Sequence, residues 1–133
     1  MNPFYLFRLI VVCCILIASG KTFGASFRAG VAAVDVSPPS LPVIQNGGFI
    51  ESTLSELQDP LFARAFVVDD GTERLAIVVV DSCMLPRILC DQAKAQAARR
   101  TGIEVDRMMI SATHTHTAPS VMDFCLGSRQ DPR

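Results

Sequence analysis

The sequence predicts an α/β domain with a mixed sheet, in which a β-hairpin is followed by a strand-helix-strand crossover. Three observations predict it. Two β-rich apolar runs, residues 61–68 (LFARAFVV) and 74–80 (RLAIVVV), flank an Asp70-Gly71 step. From Pro86 the pattern changes to Ala, Gln, Lys and Arg, with apolar residues at helical spacing as far as Gly102. Residues 107–111 (RMMIS) then form another apolar strand. Strand, helix, strand in that order is the signature of a right-handed crossover between parallel neighbours.

Taken in order, residues 1–25 are set aside as a signal peptide. Residues 1–8 carry Arg8 and the amino terminus, and residues 9–18 (LIVVCCILIA) are unbroken apolar sequence followed by Ser19-Gly20-Lys21. Ten clean apolar residues fall short of the ~20 that a spanning helix needs, so cleavage between residues 20 and 25 is expected, with no stable transmembrane span left. Cys13 and Cys14 lack the small preceding residue that lipidation would want. The product is then secreted or periplasmic, and residues 26–133 are the single partial domain. Its net charge is −3, because the formal −1 of the whole chain includes Arg8 and Lys21. With no basic block, nucleic acid is not an expected partner.

Residues 27–36 (FRAGVAAVDV) read as a first strand stopped by Ser37-Pro38-Pro39, where Asp35 supplies turn chemistry. Residues 40–60 hold Pro42, Asn46-Gly47-Gly48 and Asp59-Pro60 with no sustained period, and read as a long loop of the kind that is functional or covered. Asp70-Gly71 supplies the positive φ of a tight reversal. The run 75–80 is apolar without alternation, which predicts a central strand buried on both faces. In the helix, Ile88, Leu89, Ala93 and Ala97 line one side, Pro86 suits the first turn, and Arg99, Arg100 and Gly102 suit the end. The strands ending at Asp81 and Ser111 are parallel, so their carboxyl ends share one sheet edge. Residues 124–133 (FCLGSRQDPR) end without a closing element, so the domain reads as incomplete.

The chemistry-bearing residues gather at that edge. His114 and His116, the only two histidines, lie two apart in Ser-Ala-Thr-His-Thr-His-Thr-Ala-Pro. At a strand end, alternation would put both on one face. Neutral imidazole ligates zinc at ~2.0–2.1 Å, and the flanking Thr and Ser hydroxyls would hold the outward ring nitrogens. A bare His-x-His in a polar loop is equally read as solvated surface. Asp81, Ser82 and Cys83 end the adjacent strand. Asp81 either accepts from a ligand His or caps the helix with Ser82. Arg64 meets either a substrate oxygen or a carboxylate in a strand-edge ion pair. Cys83 and Cys125 follow adjacent strand ends and form a disulfide candidate.

Residues 112–119 (ATHTHTAP) resemble the Gly-Thr-His-Thr-His-Ser-Gly-Pro motif of the neutral/alkaline non-lysosomal ceramidases. Residues 63–68 (ARAFVV), 33–38 (AVDVSP) and 46–49 (NGGF) are similar to other stretches of that family in the same order. Ala112, Thr117 and Ala118 depart from it. The resemblance spans about residues 27–126 and implies an N-terminal portion of the catalytic domain. It implies zinc as cofactor, a ceramide-like lipid amide as substrate, and hydrolysis of its N-acyl amide bond by zinc-activated water. On it, His114 becomes a zinc ligand, His116 the catalytic neighbour that orients water or carbonyl, and Asn46, Gly47 and Gly48 substrate-binding residues; Asp81 and Ser82, at the end of the neighbouring parallel strand, are read as lining the same substrate-binding pocket. The family's other ligands, a later His, a Glu and a Tyr, have no positions here, which implies a missing downstream segment. The alternatives are a non-catalytic truncated or split piece of that domain, or a small periplasmic metal-binding module.

Overall fold

A computed structural model describes residues 26–122, together with the backbone of residues 124–125 and 128–129. The signal-peptide expectation for residues 1–25 lies outside the described residues. Among those described, no helix is long and apolar enough to cross a membrane.

Four strands form a mixed sheet in the order β1-β4-β5-β6: β1 (Arg28–Asp35), β4 (Phe62–Asp69), β5 (Arg74–Val80) and β6 (Met108–Ala112). β1 and β5 each run antiparallel to β4, and β5 runs parallel to β6. The β4–β5 hairpin closes as its sequence demands. Gly71 takes φ 93°, and Asp70 Oδ1 accepts from the Thr72 and Glu73 amides, each at 2.8 Å. At the turn that ends β1, Asp35 Oδ1 accepts from the Ser37 amide at 2.8 Å; the Ser37 hydroxyl first, and then this amide, hold the Asp35 carboxyl below its ordinary range.

The crossover helix α1 (Arg87–Thr101) starts one residue later than the sequence suggests. Pro86 is its N-cap and accepts from the amides of Leu89 and Cys90. It stops at Gly102, whose φ of 70° and bond to the Ala98 carbonyl make the left-handed cap expected of glycine. A 3-10 turn (Val105–Arg107) then leads into β6.

Burial departs from the apolar pattern in two places. Ile88 and Leu89 are 68% and 42% exposed, whereas Cys90, Lys94, Ala97 and Ala98 are half-buried. The helix therefore rests on a stripe displaced from its apolar one. Nor is β5 buried on both faces: it is internal in the sheet, yet only Ala76 is buried while Leu75 and Ile77 are exposed. Val31, Phe66, Ile77 and Met109 pair across all four strands and are all exposed. Strand partners share a face, so this row marks the side of the sheet that no other described element covers.

Residues 40–60 are not structureless. β2 (Val43–Ile44) and β3 (Thr53–Leu54) pair antiparallel as a small hairpin. Two-residue strands are too short to show a period of two, which is why the pattern reads as loop. A further pair, β7 (Phe124–Cys125) and β8 (Ser128–Arg129), follows the His-containing segment.

Candidate metal centre

The parallel register Val80↔Ala112 brings the ends of β5 and β6 together at one edge. The ladder then runs on past the strands: Thr113 N donates to Val80 O at 2.9 Å, and His114 N to Ser82 O at 3.0 Å. His114 has φ 64°, the only non-glycine residue among those described in the left-handed region. Such a conformation is uncommon outside glycine and costs backbone energy. It breaks the strand and turns the chain back, so the convergence of the two rings comes from this turn rather than from strand alternation.

His114 Nδ1 lies 2.9 Å from the Cys83 carbonyl. A carbonyl only accepts, so Nδ1 carries the proton and Nε2 is left with a free lone pair. That Nε2 stands 3.3 Å from Nε2 of His116, the two rings meeting edge to face with centroids 4.8 Å apart. Cys83 Sγ lies 3.8 Å from His114 Nδ1, and the ligand atoms of Cys83, His114 and His116 all fall within 4.8 Å of one another. The hydroxyls expected to hold the ring nitrogens do otherwise: Thr115 Oγ1 and Thr117 Oγ1 bond each other at 3.0 Å. A backbone carbonyl orients His114 instead.

The β2–β3 hairpin docks on the other side of the pair. Asn46 N donates to Ala118 O at 3.1 Å and Ser120 N to Ile44 O at 2.8 Å, while Gln45 bridges to Pro119. Gln45 Nε2 donates to the His116 carbonyl. Gly47 sits directly against the His116 ring. Asn46 is fully buried. Its Oδ1 accepts from the Gly47 amide at 2.8 Å, and its Nδ2 has no hydrogen-bond partner among the described residues. Gly48 packs near the Ile50 carbonyl. A cleft of about 560 Å³ lies beside this junction, with Leu41, Val43, Leu54, Leu57, Thr117 and Pro119 in its wall.

Asp81 takes neither role weighed from sequence. Its Oδ2 accepts from the Phe62 amide at 2.9 Å and from Arg64 Nη1 at 2.7 Å, tying the end of β5 to the start of β4. The Phe62 bond, and after it Arg64, hold this carboxyl below its ordinary range against the opposing effect of desolvation. Arg64 thus forms the strand-edge ion pair and lies over the Phe62 ring at 5.1 Å. Ser82 is buried, with its hydroxyl on Met84 O and its carbonyl on the His114 amide. Of the disulfide candidate, Cys83 is buried beside His114, and the Cys125 side chain lies outside the described residues. Gln45 is the site residue that sequence reading missed. Its only local signal is its place just before Asn46-Gly47-Gly48.

No family model matches the sequence. Neutral ceramidases of Drosophila pseudoobscura pseudoobscura and Drosophila melanogaster are each 32% identical to it over 99 residues, covering 71% of this chain and 14% of the relative. The crystal structure of neutral ceramidase from Pseudomonas aeruginosa superposes with a TM-score of 0.63 at 25% identity, over 71% of this chain and 16% of that one. A ceramidase complexed with C2 gives the same score and identity over 15% of its length. The chain therefore spans about a seventh of the relatives it matches. It belongs to the neutral ceramidase family.

Proposed function

From that membership we propose that the chain is part of an exported, zinc-dependent amidohydrolase that cleaves the N-acyl amide bond of ceramide-like lipids. The observation that carries this reading is the 3.3 Å approach of His114 Nε2 to His116 Nε2, with His114 Nδ1 tied to the Cys83 carbonyl. Neutral imidazole is a donor that zinc takes, and His116 Nε2, 3.3 Å from His114 Nε2, is near enough to reach a group bound beside the metal. His114 would hold it through Nε2. The Cys83 carbonyl fixes the tautomer that leaves this nitrogen available, as partners of metal-binding histidines commonly do. Zinc in this place supplies Lewis-acid polarisation of the amide carbonyl and activation of water. His116 orients the attacking water or the carbonyl oxygen through its Nε2. Export rests on the leader read in residues 1–25.

A catalytic zinc generally takes three protein ligands, so turnover requires donors beyond His114. The family resemblance assigns them to a downstream segment. A second reading, a metal-binding module without turnover, is favoured by Cys83, which offers a third donor from within the chain.

Zinc titration of the chain by calorimetry, alone and mixed with a polypeptide covering the remainder of a ceramidase domain, separates these readings. The hydrolase reading expects N-acyl amide cleavage only in the mixture, with cleavage and zinc binding both lost in His114→Ala. Tight binding by the chain alone, weakened by Cys83→Ser and without cleavage in the mixture, establishes the module. Absence of zinc binding both in the chain alone and in the mixture sinks both.

A further inference from the structure

We infer that the β2–β3 hairpin sets the position of the His116 ring, with Gly47 and Gln45 acting as positioning residues. The inference rests on the reading of the His pair as a metal centre. The two rings are anchored from different sides. His114 is held by the end of β5, through the Ser82 and Cys83 carbonyls. His116 is held by the hairpin, whose residue Gln45 is 71 positions away in the chain. The spacing between the two Nε2 atoms is therefore decided by how the hairpin docks on residues 116–120, the segment that follows β6.

Two contacts make that docking specific to the ring. A Cβ at Gly47 would stand 2.6 Å from Cγ and 2.9 Å from Nδ1 of His116, so the glycine is the wall against which the imidazole lies. Gln45 grips the same residue from its backbone side. The Ser52 hydroxyl donates to Gln45 Oε1 at 2.8 Å, and Gln45 N donates to Ser52 O at 2.9 Å. This fixes the amide so that its Nε2 faces the His116 carbonyl. The seam is closed by the Asn46–Ala118 and Ser120–Ile44 bonds. Among the described residues the hairpin bonds are made to residues 116–120 and not to His114, so a change in the hairpin acts first on the His116 ring.

Gly71 supplies a matched control. Its φ is 93° against 94° at Gly47, and a Cβ there meets nothing within 4 Å. Gly47→Ala and Gly71→Ala thus impose similar backbone strain, and only the first intrudes on the ring. In the full chain, the readouts are the His116 ring resonances of the metal-free protein and the affinity for Co²⁺ by absorption. Gly47→Ala should shift those resonances and weaken Co²⁺ at least about tenfold, the lower end of what loss of an orienting partner costs a metal site. Gly71→Ala should leave the ring resonances in place and Co²⁺ affinity at the wild-type value.

Gln45→Glu keeps the acceptor for Ser52 but cannot donate to the His116 carbonyl, and should also shift the ring resonances. It decides the matter on the same readouts if Gly47→Ala does not fold. An unshifted His116 ring in the variants, or an equal effect from Gly71→Ala, overturns the inference. A wild-type chain that binds no Co²⁺ overturns the metal reading instead, and the metal-free resonances still decide whether the hairpin positions the ring.

Discussion

Asp81 joins the sheet to the site, and its removal has a size that can be worked from its contacts. Asp81→Ala takes the acceptor from the Phe62 amide and the partner from Arg64. A part-buried amide left without a partner costs about 1–3 kcal/mol. The ion pair adds about 0–1 kcal/mol, at the low end because the Arg64 side chain is 53% exposed. The expected loss is therefore about 2 kcal/mol, or roughly 10 °C in Tm for a domain of this size. Asp81→Asn keeps an oxygen for Phe62 and loses only the charge, so it should cost no more than about 1 kcal/mol.

The acid dependence has a definite sign. The folded carboxyl is held below the ordinary 3.8, first by the Phe62 amide. Its contribution is thus full above that value and is lost as pH falls through the lower folded one. Melting curves of wild type and Asp81→Ala, followed by circular dichroism, should draw together in acid. Equal losses in the Ala and Asn variants, or a gap that does not narrow in acid, would refute the reasoning. The consequence for the site is direct, because the residues that follow Asp81 carry the two carbonyls that hold His114.

Asp70, bonded first by the Glu73 amide and then by Thr72, has its pKa drawn to about 2. The amide resonances of Thr72 and Glu73 should accordingly titrate with a midpoint near 2 rather than 3.8, and Asp70→Asn should abolish the transition. Ile88 lies on the apolar stripe of α1 but is exposed. Ile88→Gln should then change unfolding free energy in urea by no more than about 0.5 kcal/mol, as at an ordinary surface position. A loss of core size, about 2 kcal/mol or more, would show that Ile88 is covered in solution.

Much of the scaffold was legible because its signals are local. Asp70-Gly71 dictates a reversal through its own φ and its own side-chain bonds. Gly102 ends the helix by the same kind of argument, and the order of apolar run, helix and apolar run implies parallel strands with a shared carboxyl edge. The short strands β2 and β3 escaped because neither is long enough to show a period. The helix misled because composition reports which stripe is apolar, whereas packing decides which stripe is covered, and here they differ.

The candidate site divides in the same way. By itself the sequence determined the ligand types, two imidazoles two residues apart at a strand end, because residue identity and spacing are local facts. Only the tertiary structure decided how they meet. The left-handed turn at His114, the choice of the Cys83 carbonyl as its partner, and the Gln45–Gly47 clamp on His116 each depend on another segment brought alongside by the sheet. No pattern within the His motif encodes those partners, since hydrogen bonds and ring contacts form between chain segments that only folding makes neighbours.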